Sequence, residues 1–109
     1  MKRKVGHHLV DLLDRNHVDY LIGVAGTEFA TVIEKFSNDS ESLKIKPLTL
    51  PHEYLAVNMA YGCYLASGRL QAVMVHSTIG TLNCAAAVMN AQRMQIPLLL
   101  IAGRTAKTK

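Results

Sequence analysis

The side chains best suited to chemistry follow apolar segments of this sequence. Glu53 comes shortly after the apolar segment that ends at Leu50, and its carboxyl group could hold or transfer a proton. His76 closes a second apolar segment and is a second candidate proton carrier. Thr27 follows a third such segment and offers a hydroxyl group. Each of these residues could instead have a purely structural role. Glu53 could be an acidic residue in a first helical turn, His76 the end of a strand and Thr27 a helix N-cap.

Two glycines and an amide side chain accompany these residues. Gly26 and Gly80 can let the backbone turn tightly or approach a ligand closely. Asn83 follows Gly80 at a spacing of three residues, and this pair could equally mark only the start of a helix. We therefore treat Gly26, Gly80 and Asn83 as candidate ligand-binding positions beside Glu53.

The elements that must position these residues alternate between helical and extended patterns. Apolar residues at helical spacing predict one helix that begins near Val5 and three more over 29–36, 53–66 and 81–93. Short apolar runs predict strands over 20–24, 45–50, 72–75 and 98–101. We expect the following residues to form the apolar faces of the second and third helices: Phe29, Val32, Ile33 and Phe36, then Leu55, Met59, Ala60 and Cys63.

The order of helix then strand, repeated four times, predicts an α/β fold. The strands are apolar throughout and do not alternate, which is typical of a parallel sheet covered by helices on both faces. We expect a three-layer α/β/α arrangement with about four strands, in one domain over residues 1–109 that is incomplete. Ligands of such folds bind outside the carboxyl ends of the strands. The segments that carry Thr27, Glu53, His76 and Gly103 should therefore line one edge of the sheet.

Composition excludes several classes of protein. Half of the 109 residues are apolar and only 18% are charged, which argues against disorder. The net charge of +4 comes from scattered basic residues without interleaved aromatics, so we expect no nucleic-acid partner. Cys63 and Cys84 lie in apolar helical patterns and predict buried free thiols in a reducing compartment. No apolar run is long enough to cross a bilayer or to form a signal peptide, so we expect a cytoplasmic protein without a membrane partner.

Several motifs taken together resemble a known family. The pattern runs through His52-Glu53-x-x-Ala56-x-x-Met59-Ala60-x-Gly62, Gly68, Gly80-x-x-Asn83, Ala91 and Pro97 to Gly103. It is similar to the pyrimidine-binding, N-terminal domain of thiamine diphosphate-dependent enzymes, which include acetolactate synthases and benzoylformate and pyruvate decarboxylases. Ile22-Gly23-Val24-Ala25-Gly26-Thr27 resembles the first loop of the same family, which usually reads Phe-Gly-Val-Pro-Gly. The resemblance extends from about Val5 to Arg104 and implies the thiamine diphosphate-binding fold.

The resemblance implies roles for the candidate residues. The glutamate that matches Glu53 hydrogen-bonds the N1′ atom of the cofactor's aminopyrimidine and activates the cofactor for attack on a carbonyl group. His76-Ser77-x-x-Gly80-Thr81-x-Asn83 resembles a stretch of benzoylformate decarboxylases in which the histidine carries protons in the active site. Thr27 matches the position of a substrate-contacting serine, so Thr27 and His76 are the expected substrate contacts. Gly26, Gly80 and Asn83 are expected to bind the cofactor together with Glu53.

The family also uses residues that this sequence lacks. Its diphosphate and Mg²⁺ site has a Gly-Asp-Gly motif in a separate domain, and no Gly-Asp-Gly occurs here. We expect no metal ligand in this chain and a partnership with the diphosphate-binding domain of another chain, in a homodimer or homotetramer. The resemblance predicts part of a 2-oxo acid decarboxylase or acetolactate synthase-like enzyme. On its own the chain is expected neither to bind the cofactor tightly nor to turn over.

Two departures and two alternatives qualify this interpretation. Thr78-Ile79-Gly80 stands where most relatives have Gly-Pro-Gly, and Ala25 replaces the usual proline of the first loop. These departures weaken the assignment of a particular activity but not that of the fold. A dinucleotide-binding module would need Gly-x-Gly-x-x-Gly after the first strand, and Gly23-x-x-Gly26 misses that spacing. A non-catalytic interaction domain or small subunit with the same fold is the other alternative, against which Glu53 and His76 argue.

Overall fold

The computed structural model describes residues 4–24 and 29–104 and contains four parallel strands and five helices within those ranges. The elements are, in chain order, α1 (Val5–Arg15), β1 (Tyr20–Gly23), α2 (Ala30–Asn38), β2 (Lys46–Thr49), α3 (Glu53–Ser67), β3 (Ala72–His76), α4 (Ser77–Asn83), α5 (Ala85–Arg93) and β4 (Leu99–Gly103). The alternation of helix and strand confirms the predicted α/β class. Over the described ranges, no helix combines the length and the apolar character needed to cross a bilayer.

The strands form one sheet in the order β2-β1-β3-β4, and every neighbouring pair is parallel. The first strand is therefore central, and the chain moves to one side of it for β2 and to the other side for β3. Pro47 lies in β2, at the edge of the sheet, where a residue without an N–H donor is tolerated. Parallel strands place all their carboxyl ends at the same edge.

A separate apolar cluster covers each face of the sheet, which confirms the three-layer arrangement. Helices α1 and α2 cover one face, and α3 and α5 cover the other. The first cluster is formed by Val10, Leu13, Val18, Leu21, Phe29, Val32, Leu43, Ile45, Ala72 and Met74. The second is formed by Ile22, Ala56, Val57, Ala60, Val73, Val75, Cys84 and Ala87. Neighbouring strand residues such as Leu21 and Ile22 belong to opposite clusters, so the sheet is apolar on both faces, as its uninterrupted apolar strands predicted.

Two predicted apolar faces are partly wrong. On α2, Ile33 is 54% exposed, and on α3, Leu55 and Met59 are 48% and 40% exposed. The residues of α3 that approach the sheet are small or β-branched, among them Ala56 and Val57, which are completely buried. Because α3 is apolar on almost every side, the spacing of apolar residues does not reveal which side faces the sheet.

The predicted fourth helix, 81–93, is two helices. The first, α4, begins at Ser77 and ends at Asn83, and α5 begins at Ala85. The break is at Cys84, whose backbone has φ −97° and ψ 0°. Its side chain is completely buried in the cluster under α3, so tertiary packing fixes the position of this break.

A polar network ties together the amino ends of β1 and β3. Gln71 is completely buried, its Oε1 accepts a hydrogen bond from the Tyr20 backbone N–H at 2.8 Å, and its Nε2 donates to Asp19 Oδ2 at 2.9 Å. Arg69 Nε donates to the same carboxylate oxygen at 2.8 Å. The hydrogen bond from Arg69 is the main reason why the pKa of Asp19 lies below its usual value, with a smaller contribution from Gln71. The network therefore favours the ionised form of Asp19 in the folded chain.

Helices α1 and α2 approach each other closely. A methyl group added at Gly6 would overlap the side chain of Thr31, which explains why α1 has no side chain at this position. Lys35 of α2 is buried and forms ion pairs with Asp11 of α1, at 3.2 Å, and with Asp39. The hydrogen bond to Asp39 is the largest cause of the raised pKa of Lys35. Both the glycine and the ion pairs fix how these two helices lie on the sheet.

Candidate functional site

The sheet order identifies where a ligand would bind. The connection that leaves β1 runs to β2 and the one that leaves β3 runs to β4, in opposite directions along the sheet. The carboxyl ends of β1 and β3 therefore flank a topological switch point, at which open α/β sheets form their ligand crevice. Gly23 ends β1 and pairs with Met74, and a Cβ atom at Gly23 would lie only 2.9 Å from the Met74 carbonyl oxygen. The absence of a side chain at Gly23 therefore permits this close pairing beside the crevice.

Glu53 reaches this edge at the first residue of α3. His52 has extended backbone and caps the helix: its Nδ1 accepts a hydrogen bond from the Tyr54 backbone N–H at 3.0 Å. Glu53 is only 9% exposed although it is an acidic residue in a first helical turn, where most such side chains reach solvent. Acidic residues are common in the first turn of a helix because of the helix macrodipole, so the residue type alone does not mark a functional site. The capping by His52 thus fixes the start of the helix and, with it, the place of the carboxyl group.

Two residues of α4 contact the side chain of Glu53. The Nδ2 atom of Asn83 lies 3.5 Å from each of the two carboxylate oxygens of Glu53. Gly80 is buried, and a Cβ atom there would lie 3.6 Å from Glu53 Cγ and 3.4 Å from Val75 Cβ. A Cβ atom at this position would thus already be at van der Waals distance from both side chains. The structure brings together three of the residues that the sequence predicted to act jointly: Glu53, Gly80 and Asn83.

His76 ends β3 at the same edge of the sheet. Its strand partner is Gly103 of β4, and its ring makes an edge-to-face contact with Phe29, with ring centroids 6.3 Å apart and an interplanar angle of 86°. The next residue, Ser77, has φ 50°, in the left-handed region that non-glycine residues seldom adopt. Such backbone strain is frequent at functional sites, and here it turns the chain directly from β3 into α4.

Phe29 contributes to the site and was not predicted as a site residue, whereas Gly103 was predicted only to lie at this edge of the sheet. A Cβ atom at Gly103 would lie 2.8 Å from Phe29 Cε1, so the ring of Phe29 occupies space that a side chain at position 103 would need. Phe29 is buried and in turn contacts the ring of His76. Sequence reasoning placed Phe29 on a helix face and Gly103 after a strand. A glycine at a strand terminus was the one available signal, and its partner could not be deduced without the fold.

Cys84 lies beside the Glu53 site. The thiol is completely buried, and its Sγ donates a hydrogen bond to the Thr81 carbonyl oxygen at 3.1 Å. Burial is the largest cause of the raised pKa of the Cys84 thiol, and the nearby charge of Glu53 raises it further. The thiol is therefore neutral at physiological pH. The second cysteine, Cys63, is also free but only partly buried, which corrects the prediction that both are buried.

The remaining predicted site residues, Gly26 and Thr27, lie outside the residues that the structure describes. Within the described ranges, no three His, Cys, Asp or Glu side chains converge in a way that could hold a metal ion. The described part of the site thus consists of a buried carboxyl group held between α3 and α4, with a histidine at the end of the adjacent strand.

Comparison with protein families supplies the class to which this arrangement belongs. Residues 3–109 match the model of the N-terminal TPP-binding domain of thiamine pyrophosphate enzymes, and thiamine pyrophosphate (TPP) is a synonym of thiamine diphosphate. The chain belongs to this family. A search of curated proteins found no significant match.

Solved structures of thiamine diphosphate enzymes have the same fold. An enzyme isolated from Mycobacterium smegmatis, assigned as thiamin diphosphate-dependent, matches 95% of this chain with a TM-score of 0.76 and 27% sequence identity. Benzoylformate decarboxylase from Polynucleobacter necessarius matches 94% with a TM-score of 0.76 and 22% identity. The match spans only 19% and 18% of those two chains, so this thiamine diphosphate-binding domain corresponds to about one fifth of their length.

Proposed function

We propose that this chain is the pyrimidine-binding part of a thiamine diphosphate-dependent lyase or transferase that acts on a 2-oxo acid, as decarboxylases and acetolactate synthases do, and that Glu53 activates the cofactor. The observation that carries the proposal is a carboxyl group that is 9% exposed at the switch point of a parallel sheet, in a chain of this family. We take residues 1–109 as one unit, a partial domain of the larger enzyme.

The residues around Glu53 fit an aminopyrimidine ring. A heteroaromatic nitrogen needs one hydrogen-bonding partner that can share its proton, and the carboxyl group of Glu53 is such a partner. Gly80 places no side chain beside the stem of Glu53, where a Cβ atom would already lie 3.6 Å from Cγ, so α4 does not crowd the carboxyl group at this point. In this proposal Glu53 holds a proton at the pyrimidine N1′ atom, and Gly80 and Gly26 give the ring access to it.

His76 and Thr27 are proposed to act on the substrate. His76 is at the carboxyl end of β3, and the edge-to-face contact with Phe29 restricts the orientation of its ring. An imidazole held in this way can deliver or accept a proton at a fixed position. Thr27 would orient the carboxylate of a 2-oxo acid through its hydroxyl group, as its position in the family motif implies.

Thiamine diphosphate, when bound, supplies the electron sink for cleaving or forming a bond next to a carbonyl carbon. Its diphosphate and Mg²⁺ are proposed to bind to a diphosphate-binding domain outside this sequence, since no Gly-Asp-Gly motif occurs here. This chain alone would then hold only the pyrimidine end of the cofactor. We accordingly propose that the isolated chain binds the cofactor weakly and has no turnover.

Exposed apolar side chains support a partner for the α3–α5 face. Seven large apolar side chains of α3, α4 and α5, together with Met94 directly after α5, are between 40% and 71% exposed. The seven are Tyr54, Leu55, Met59, Leu65, Ile79, Leu82 and Met89. An apolar surface of this extent usually marks an interface. We propose that it is covered in a homodimer or homotetramer, in which the diphosphate-binding domain comes from another chain. The two free cysteines support a cytoplasmic location.

The test is the substitution Glu53→Gln in the holoenzyme that contains this chain, with Glu41→Gln as the matched control. Glu41 is an exposed glutamate in the turn after α2. The measurement is the rate at which the C2 proton of bound thiamine diphosphate exchanges with deuterium, followed by NMR after acid quenching. We expect Glu53→Gln to reduce this rate by a factor on the order of 10²–10⁴, the usual contribution of a positioned acid or base. An unchanged rate would eliminate the activating role, and Glu41→Gln should behave like the parent enzyme.

A further inference from the structure

Helix α4 runs directly from the end of β3 to the side chain of Glu53. It begins with the left-handed backbone of Ser77, whose carbonyl oxygen accepts a hydrogen bond from Thr81 Oγ1 at 2.8 Å. The helix is only seven residues long, and its last residue is Asn83. Because α4 also contacts α3, this short helix connects the histidine at the strand end to the carboxyl group at the start of α3.

We propose that Asn83 is a positioning residue for Glu53: its side-chain amide orients the carboxylate toward the cofactor, in addition to any contact with the cofactor itself. This inference rests on the proposed role of Glu53. It assigns to Asn83 a task within the protein, whereas the family resemblance implied only a cofactor-binding position.

The geometry between the two side chains carries the proposal. Asn83 Nδ2 is equidistant from both oxygens of Glu53, at 3.5 Å, so the amide lies across the open end of the carboxylate. Each contact is longer than an ordinary N–H···O hydrogen bond of about 2.9–3.0 Å, and the interaction is that of an amide dipole with a charge shared over two oxygens. A neutral amide donor at this place can interact with either oxygen of the carboxyl group without adding a charge. In the proposal this contact sets the direction of both oxygens.

Gly80 places no side chain of α4 against the stem of Glu53. A Cβ atom there would lie 3.6 Å from Glu53 Cγ, an ordinary van der Waals distance, but glycine has none. The proposal therefore rests on the contact of Asn83 with the carboxyl group. Asn83 itself is exposed, so its side chain can be replaced without opening a cavity in the core.

The experiment uses the holoenzyme with three substitutions. Asn83→Leu removes the amide donor and keeps the same branching at Cγ, and Asn83→Asp replaces the amide with a second carboxyl group. Asn90→Leu is the matched control at an exposed asparagine of α5. Two quantities are measured for each variant: the rate of C2 proton exchange of bound thiamine diphosphate and the affinity for thiamine diphosphate. Circular dichroism establishes that each variant is folded.

We expect Asn83→Leu to lower the exchange rate about tenfold, the lower end of what the loss of a hydrogen bond to a charged group would do, because the contact is long at 3.5 Å. The affinity for thiamine diphosphate should stay within about threefold of the parent, because the lost contact acts on Glu53. In Asn83→Asp the new carboxyl group lies next to that of Glu53, and the two negative charges repel each other. The pair therefore keeps one shared proton up to a higher pH than an isolated carboxyl group would. That proton supplies a donor again, so at low pH the exchange rate of Asn83→Asp should exceed that of Asn83→Leu. A purely structural role would instead lower the rate and the affinity together in both variants.

The outcomes separate this inference from the proposed function. If Glu53→Gln abolishes exchange while Asn83→Leu leaves it unchanged, Asn83 has no positioning role and the function of Glu53 stands. If Glu53→Gln itself leaves exchange unchanged, the proposed function fails first. Equal losses of rate and affinity in Asn83→Leu would assign Asn83 to cofactor binding alone and overturn the inference. Should Asn83→Leu fail to fold, Asn83→Ala, which also removes the amide donor, takes its place in both measurements.

Discussion

The contact between α1 and α2 allows a quantitative prediction of stability. A Cβ atom at Gly6 would overlap Thr31 Oγ1 and would lie 2.9 Å from Thr31 Cβ and 3.2 Å from the Thr31 backbone carbon. Rotation of the threonine side chain can relieve only the first of these contacts. Gly6→Ala must therefore push the two helices apart. The matched control is Gly62→Ala in α3, where a Cβ atom would meet no other atom within 4 Å.

The two substitutions should change the free energy of unfolding in opposite directions. Overpacking of a tight contact costs about 1–3 kcal/mol. The better helix propensity of alanine returns up to about 1 kcal/mol, and less near a helix terminus, where Gly6 lies. We expect Gly6→Ala to destabilise the chain by about 1–2 kcal/mol. Gly62→Ala has only the propensity gain and should stabilise it by about 0.5–1 kcal/mol.

Urea denaturation monitored by circular dichroism measures both changes. With an m-value of about 1–3 kcal/mol/M for a chain of this size, the unfolding midpoint of Gly6→Ala should fall by about 1 M and that of Gly62→Ala should rise by a few tenths of a molar. A Gly6→Ala midpoint equal to or above that of the parent would refute the reasoning, because it would show that the helices separate without cost.

Two further predictions concern ionisable groups. The pKa of Asp19 is lowered in the folded chain, mainly by Arg69. Ionised Asp19 therefore stabilises the fold at any pH above its pKa in the unfolded chain. This stabilisation is lost as the pH falls through the lower pKa that Asp19 has in the folded chain. Parent and Asp19→Asn should thus differ in urea stability at neutral pH, and the difference should shrink as the pH falls below the usual aspartate pKa of about 3.9. A difference that grows on acidification would contradict this. Because burial raises the pKa of the Cys84 thiol, a disulfide reagent should modify the partly exposed Cys63 in the native chain and Cys84 only after unfolding. Equal rates for both thiols in the native chain would count against this assignment.

The sequence was sufficient for the architecture. Uninterrupted apolar strands between amphipathic helices correctly predicted a parallel sheet with a helical layer on each face, and Gly68 ends α3 in the left-handed conformation, as expected of a helix C-cap. The placement of Glu53 at a strand's carboxyl edge also followed from residue order. These features depend on local periodicity and on the common direction of parallel strands, both of which can be seen in a sequence.

Which side of each helix is buried could not be determined in the same way. Leu55 and Met59 have the apolar character of core residues but are exposed, while Ala56 and Val57 face the sheet. A helix that is apolar on most sides gives no preferred direction, and only the sheet beneath it selects the small residues that allow close approach. The break of the last predicted helix at Cys84 has a similar origin, since that residue is drawn into the core.

The sequence by itself determined the fold class, the family and which residue types meet at the carboxyl edge of the sheet, because order and spacing along the chain contain that information. Only the tertiary structure decided how those residues touch: the amide of Asn83 across both oxygens of Glu53, and the ring of Phe29 between Gly103 and His76. These contacts join residues far apart in the chain. Their distances are set by the packing of whole helices on the sheet, which no local pattern specifies.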